Sequence, residues 1–82
     1  IMHITCAEIC NFLKLPFNGN DVVFNAVSTD TRTIQPGSLF VAIQGKNFDG
    51  HDFLDVAIQQ GAAGVVVSKP YTANVPVLHV SD

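Results

Sequence analysis

Charge is scarce in this chain. Only 13% of its 82 residues are Asp, Glu, Lys or Arg, and four basic against seven acidic side chains leave a formal charge of 4 − 7 = −3. Four scattered cations cannot neutralise the run of phosphates that drives nucleic-acid binding, so that class of partner drops out. No apolar stretch approaches the roughly 20 residues of a membrane span. The N-terminus has no basic segment followed by an apolar core and a cleavage site. A soluble, cytoplasmic chain with no membrane partner is expected. The two cysteines, Cys6 and Cys10, stand four apart in an expected helix, where side-chain geometry does not suit a disulfide. Reduced thiols fit a cytosolic compartment. Repeats, low-complexity tracts and interdomain linkers are also missing.

What is present is apolar matter. Hydrophobic residues make up 48% of the chain and its mean hydropathy is +0.32, enough for one small folded domain and no second. A domain of this size buries only about 60 to 65% of the surface of its unfolded chain, so modest stability is expected unless something docks against it. Low charge with positive hydropathy points to a face that is covered.

Thr5 and Glu8 have the spacing of a capping box, Ile4 and Ile9 that of a hydrophobic staple, and Pro16 is a stop, which predicts a helix over residues 6–14. Residues 17–21 have turn chemistry, and residues 22–27 are rich enough in β-formers for one strand. Pro36 and Gly37 suit the two central positions of a type II turn. The continuous apolar run Leu39 to Ile43 predicts a strand covered on both faces. After a polar loop, Phe53, Leu54, Ala57 and Ile58 form one helical stripe, with Asp49 or Gly50 as N-cap and Gly61 as C-terminal cap. Residues 64–68 predict a further buried strand, and residues 75–80 a last short one. Strand, helix and strand from Leu39 to Ser68 make a βαβ unit, a connection that is right-handed almost without exception. The expected fold is α/β, a small sheet with at least one right-handed βαβ unit.

Ligands in open α/β sheets bind beyond the carboxyl ends of the strands, which singles out two loops. In the first, Gly45 and Gly50 let backbone approach a ligand, the start of the helix offers N–H groups, and Lys46 adds a full charge. The alternative is a plain turn with a solvated lysine. No stretch matches the phosphate-loop pattern G-x-x-x-x-G-K-[S/T], because Asn47 follows Lys46 and Phe40 stands five before Gly45. The second loop, Thr29-Asp30-Thr31-Arg32, combines hydroxyls, a carboxylate and the only arginine, a set able to bind a sugar-phosphate. Equally, Asp30 can pair with Arg32 or the local backbone and simply hold the loop.

His3, Cys6 and Cys10 are weighed as a metal site, but the two cysteines suit the core better as small hydrophobes. His51, flanked by Asp49 and Asp52, fits a structural or ligand-positioning role better than that of a switchable base. His79 is taken as packed or edge-exposed. No nucleophile has a supporting Ser/His/Asp or Cys/His arrangement, so the residues themselves describe a binder.

Ser28-Thr29-Asp30-Thr31-Arg32, Pro36-Gly37-Ser38-Leu39-Phe40-Val41-Ala42, Gly45 and Phe48-Asp49-Gly50-His51-Asp52-Phe53, in this order, closely resemble the N-terminal domain of the Mur ligases of the MurE and MurF types. Ala57, Gly61-Ala62 and the stretch Val75 to Asp82 fit the same pattern. The Thr-Asp-Thr-Arg form and Phe48 before Asp49-Gly50-His51 look more like MurF, with MurE second. The resemblance implies a UDP-binding domain, residues 1–82, cut before a central ATPase domain that would be its partner. It further implies an enzyme of peptidoglycan synthesis that adds D-alanyl-D-alanine to UDP-N-acetylmuramoyl-tripeptide, using ATP and Mg²⁺, through an acyl phosphate. MurE would add the third amino acid instead. Carried over by motif, Thr29, Asp30, Thr31 and Arg32 would line the uridine and diphosphate side. Lys46, Asn47, Phe48 and Asp49 would form the opposing loop. No catalytic, ATP-loop or metal-binding residue of the family has a counterpart here, so the 82 residues alone are expected to be inactive, without cofactor or metal. An alternative of another class is a free-standing α/β interaction module with no ligand.

Overall fold

The Thr5 hydroxyl accepts from the Glu8 N–H at 3.0 Å and the Glu8 carboxylate accepts from the Thr5 N–H at 2.9 Å, closing the capping box. Helix α1 runs Cys6–Leu13 from that cap. The structure, a computed structural model, describes residues 2–81. Ile1 and Asp82, the last residue of the resembling stretch, lie outside them. The end of α1 differs slightly from expectation: Lys14 is not helical but turns left-handed, with φ 60, so the chain leaves the helix two residues before Pro16. Another free N–H of the first turn, that of Ala7, is taken by the distant Asp21 carboxylate at 3.0 Å.

The strand expected over residues 22–27 is two strands in two sheets. β2 (Val23–Phe24) pairs antiparallel with a short β1 (Ile4–Thr5) that sequence patterning misses, whereas β3 (Ala26–Ser28) opens the main sheet. Asn25 is the break. Its N–H bonds Gly37 O at 3.1 Å and its side-chain amide bonds Pro36 O at 3.0 Å, tying it to the next turn instead of to a partner strand. That turn is the expected type II: Gly37 has φ +87, which glycine adopts without strain, and the Ser38 N–H reaches Gln35 O at 3.1 Å.

The main sheet is parallel throughout, in the order β3-β4-β5-β6, with β4 Ser38–Val41, β5 Gly64–Val67 and β6 Val77–His79. Between β4 and β5 the chain passes through a 3-10 turn, Gly50–Phe53, and helix α2, Leu54–Gln59, and Gly61 closes the helix with its N–H on Ile58 O at 3.0 Å. This is the expected βαβ unit.

Alternation along the strands builds two cores. Leu39, Val66 and Leu78 face α1 together with Phe24, Cys6 and Cys10. Phe40, Val65 and Val67 face the opposite way onto Leu54, Ala57 and Ala62. Covered faces explain why β4 and β5 are continuously apolar instead of alternating. Each fully buried side chain of the Phe40 or Leu39 kind contributes about 1.5 to 3 kcal/mol. Two members of the expected core are not in it: Ile43 is exposed past the end of β4, and Phe53, assigned to the buried stripe of α2, is also exposed. The helix starts one residue later than the stripe assumes, with Phe53 still in the 3-10 turn.

Candidate functional site

Residues 29–37 leave the carboxyl end of β3, residues 42–50 that of β4 and Ser68-Lys69 that of β5, so all three loops meet at one edge of the parallel sheet. That edge is where open α/β sheets place ligands.

The first loop is folded around Asp30. Ser28 Oγ accepts from the Asp30 N–H at 3.1 Å and donates to Asp30 O at 3.0 Å, while Asp30 Oδ1 accepts from the Arg32 N–H at 2.9 Å. The carboxylate then holds the guanidinium on two sides, Nε at 3.0 Å from Oδ1 and Nη2 at 2.8 Å from Oδ2. The structural alternative for Asp30 is therefore present in both its forms: it pairs with Arg32 and it holds the backbone. The Arg32 side chain is 86% exposed, so the pair contributes little to stability. Its effect is to aim the guanidinium, whose remaining N–H donors stay open. The hydrogen bonds from Arg32 lower the Asp30 carboxyl to about 2, and Asp30 in turn raises Arg32.

The second loop is a small closed hairpin. Gln44 and Asp49 bridge antiparallel, the Gly45 N–H bonds Phe48 O at 2.6 Å, and the Gly50 N–H bonds Ile43 O at 2.8 Å. Gly50 is obligatory for this closeness, since a Cβ there would sit 2.8 Å from Ile43 N and 3.1 Å from Ala42 Cα. The N–H groups expected to await an anion at the helix start are in part occupied. Asp49 Oδ1 accepts from the His51 N–H at 3.0 Å, and Asp49 O from the Asp52 N–H at 3.1 Å. The other Asp49 oxygen accepts from Lys69, so its carboxylate, held well below the usual range by Lys69 and His51, is spent inside the protein.

Phe48 and Phe53 form the wall between two hollows. On one side a cleft of about 480 Å³ is lined by Thr29, Asp30, Thr31, Arg32, Phe40 and the two rings. On the other a shallower hollow of about 380 Å³ takes Lys46, Asn47 and Asp49 with Asp52. The eight residues singled out in the sequence thus fall around one aromatic partition: four of them with Phe48 in the cleft, the other three behind it. Lys46 is exposed and, among the described residues, makes no ion pair. A larger hollow, about 560 Å³ between α1 and β6, shares no residue with these and is floored by the buried thiols of Cys6 and Cys10. Burial pushes Cys6 up to about 11, which leaves it protonated and unreactive at neutral pH.

Comparison with known proteins decides the family. The sequence profile described as "Mur ligase family, catalytic domain" matches residues 23–81. The chain belongs to the Mur ligase family. It is 40% identical over 82 residues to the UDP-N-acetylmuramoyl-tripeptide--D-alanyl-D-alanine ligase of Escherichia coli strain K12, covering 100% of this chain and 18% of that relative. It is also 40% identical over 80 residues to the UDP-N-acetylmuramoyl-L-alanyl-D-glutamate--2,6-diaminopimelate ligase of Lactiplantibacillus plantarum, covering 93% and 16%. The fold is shared with a crystal structure of MurF from Acinetobacter baumannii, at a TM-score of 0.81 and 23% identity over 99% of this chain and 18% of that one. The chain therefore spans less than a fifth of the Mur ligases it matches.

Sequence reasoning missed Phe40, Phe53, Ser68 and Lys69 at this edge of the Mur ligase chain. Phe53 looked like core from its apolar neighbours, and Phe40, which is core as expected, lines the cleft as well. Ser68 and Lys69 follow β5, and nothing in the sequence signals which strand end will lie beside the Asp49 loop.

Proposed function

We propose that this chain is the N-terminal substrate-binding domain of a peptidoglycan-precursor ligase, and that its cleft holds the UDP end of UDP-N-acetylmuramoyl-tripeptide. The observation that supports this most is the convergence of the Thr29–Arg32 loop and Phe48 on one cleft. A flat ring can lie against the Phe48–Phe53 wall while the Arg32 guanidinium and the threonine hydroxyls face a ribose or a diphosphate. Lys46, behind the wall, adds positive potential to a net-negative body. Asp49 serves by holding its loop.

In the longer enzyme this reading implies, ATP and Mg²⁺ would drive addition of D-alanyl-D-alanine through an acyl phosphate in the cytoplasm, with a central ATPase domain beside this one. The described residues do not fit that chemistry: they contain no group of three His, Cys, Asp or Glu able to hold a metal ion, and no phosphate loop. No step of the ligation is assigned to them, and the 82 residues alone are expected to be inactive. Among the described residues no helix is long and apolar enough to cross a membrane. The equal identity to a diaminopimelate-adding relative supports a second reading, in which the domain plays the same part in an enzyme of the MurE type. The test is calorimetric titration of the chain with UDP-N-acetylmuramoyl-tripeptide, UMP and ATP. Binding of the two uridine ligands and not of ATP is the expected result. Heat with ATP alone, or none with any ligand at millimolar concentration, would count against the proposal.

A further inference from the structure

The His51 side chain is enclosed at this edge of the sheet, with 7% of it exposed, and both of its ring nitrogens are committed. Nδ1 lies 2.7 Å from Asp49 Oδ1, and Nε2 lies 3.0 Å from the backbone nitrogen of Ser68. The Ser68 N–H can only donate, so Nε2 must be the bare, accepting nitrogen. The proton then sits on Nδ1 and points at the Asp49 carboxylate. A ring in this state is neutral, and neither nitrogen is free to bind a ligand or take a proton from one.

We infer that His51 is a positioning residue for the candidate cleft: its imidazole clips the 44–49 hairpin to the carboxyl end of β5 and thereby holds Phe48 against Phe53. The role rests on the reading of that cleft as the ligand site. Three observations converge on it. The hairpin is closed at its base, just past β4, by the Gly50 N–H on Ile43 O and by the close approach of Gly50 to Ala42 and Ile43, neither of which reaches its tip. Asp49, next to Phe48, is the one residue of the hairpin with side-chain bonds outward, to His51 and to Lys69. Both of those lead to the same place, since Ser68 and Lys69 are the two residues that follow β5. Lys69 is 45% exposed and on a flexible stem, so the enclosed imidazole is the rigid half of the clip.

Long-range ¹H–¹⁵N correlation spectra of the labelled chain at neutral pH test the ring directly. The clip requires a protonated Nδ1 and a bare Nε2 at His51. The opposite tautomer, an averaged pair of signals or a doubly protonated ring overturns it. His51→Ala gives the second readout by amide exchange. Protection at residues 44–49 should fall about tenfold, the effect of one lost hydrogen bond, while Gly64–Val67 keeps its protection. His51→Gln, which keeps an acceptor for the Ser68 N–H, should recover part of that loss. Unchanged exchange in the hairpin, or an equal loss in β5, overturns the positioning role. If His51→Ala fails to fold, the tautomer measurement decides alone. Neither readout involves a nucleotide. A loosened hairpin with unaltered UMP affinity would therefore uphold the clip and remove the hairpin from the ligand site.

Discussion

The ring of Phe48 lies stacked on that of Phe53, their centroids 5.4 Å apart and their planes 18° from parallel, yet 50% of Phe48 and 38% of Phe53 remain open to water. A stacked pair left this exposed stabilises the fold little and offers a ready surface to a flat ligand. Phe48→Ala should weaken binding of a uridine ligand by about 1 to 3 kcal/mol, the range for losing a base–aromatic stack. It should change stability by no more than about 1.5 kcal/mol. Calorimetry and thermal unfolding of the same variant separate the two effects.

Arg32→Ala should cost about 1 to 3 kcal/mol of affinity for a UDP ligand, the loss of a charge-assisted contact in the cleft, and Lys46→Ala, which removes only positive potential behind the wall, should cost less than about 1 kcal/mol, both without unfolding the domain. Because Asp30 aims Arg32 and, among the described residues, Lys46 makes no ion pair, Asp30→Asn should weaken binding through Arg32 and leave the contribution of Lys46 intact. Affinity unchanged from the unsubstituted chain in both alanine variants would remove these residues from the site.

The Asp30–Arg32 pair carries a pH signature. The folded carboxyl titrates at about 2, below its ordinary 3.8, because Arg32 hydrogen-bonds the charged form. A depressed carboxylate contributes stability that is fully present above the unfolded value and is lost as pH falls through the folded one, here between about 3.8 and 2. Carboxyl-carbon NMR should show Asp30 still ionised at pH 3, and Arg32→Ala should return its midpoint toward the ordinary value.

Val66 packs with Leu39 and Leu78 under α1, remote from the cleft wall. Val66→Ala removes two methyl groups from that core and should lower unfolding free energy by roughly 2 kcal/mol. Ligand affinity of the folded fraction should stay as it was. Chemical denaturation followed by titration checks both.

Local chemistry was legible in the sequence wherever a residue's role is decided by its near neighbours. The Thr5/Glu8 box, the Pro36-Gly37 turn, the Gly61 cap and the continuously apolar β4 and β5 all take their meaning from residues a few positions away. What was hidden depends on distant partners. β1 is two residues long and exists only because Phe24 and Val23 come to lie beside it, and one apolar run became two strands because Asn25 is held by the Pro36-Gly37 turn.

The candidate site divides in the same way. Thr29 through Arg32 and Lys46 through Asp49 were found by loop composition and by resemblance, and the fold places them on either side of one aromatic wall. Phe53 was read as core because apolar spacing cannot tell a helix from the 3-10 turn that precedes it. The attachment of His51 to Ser68 spans 17 residues and a helix, a contact no local pattern announces.

The measurement that bears most directly on the account is an intermolecular NOE experiment on the labelled chain with saturating UMP. Contacts from the uracil H5 and H6 protons to the rings of Phe48 and Phe53, with shifts at Thr29 through Arg32, are the expected result. Contacts instead to Pro16, Pro76 or Val77, in the hollow between α1 and β6, would contradict it, because they would put the nucleotide on the other side of the molecule's chemistry, against the Cys6–Cys10 floor.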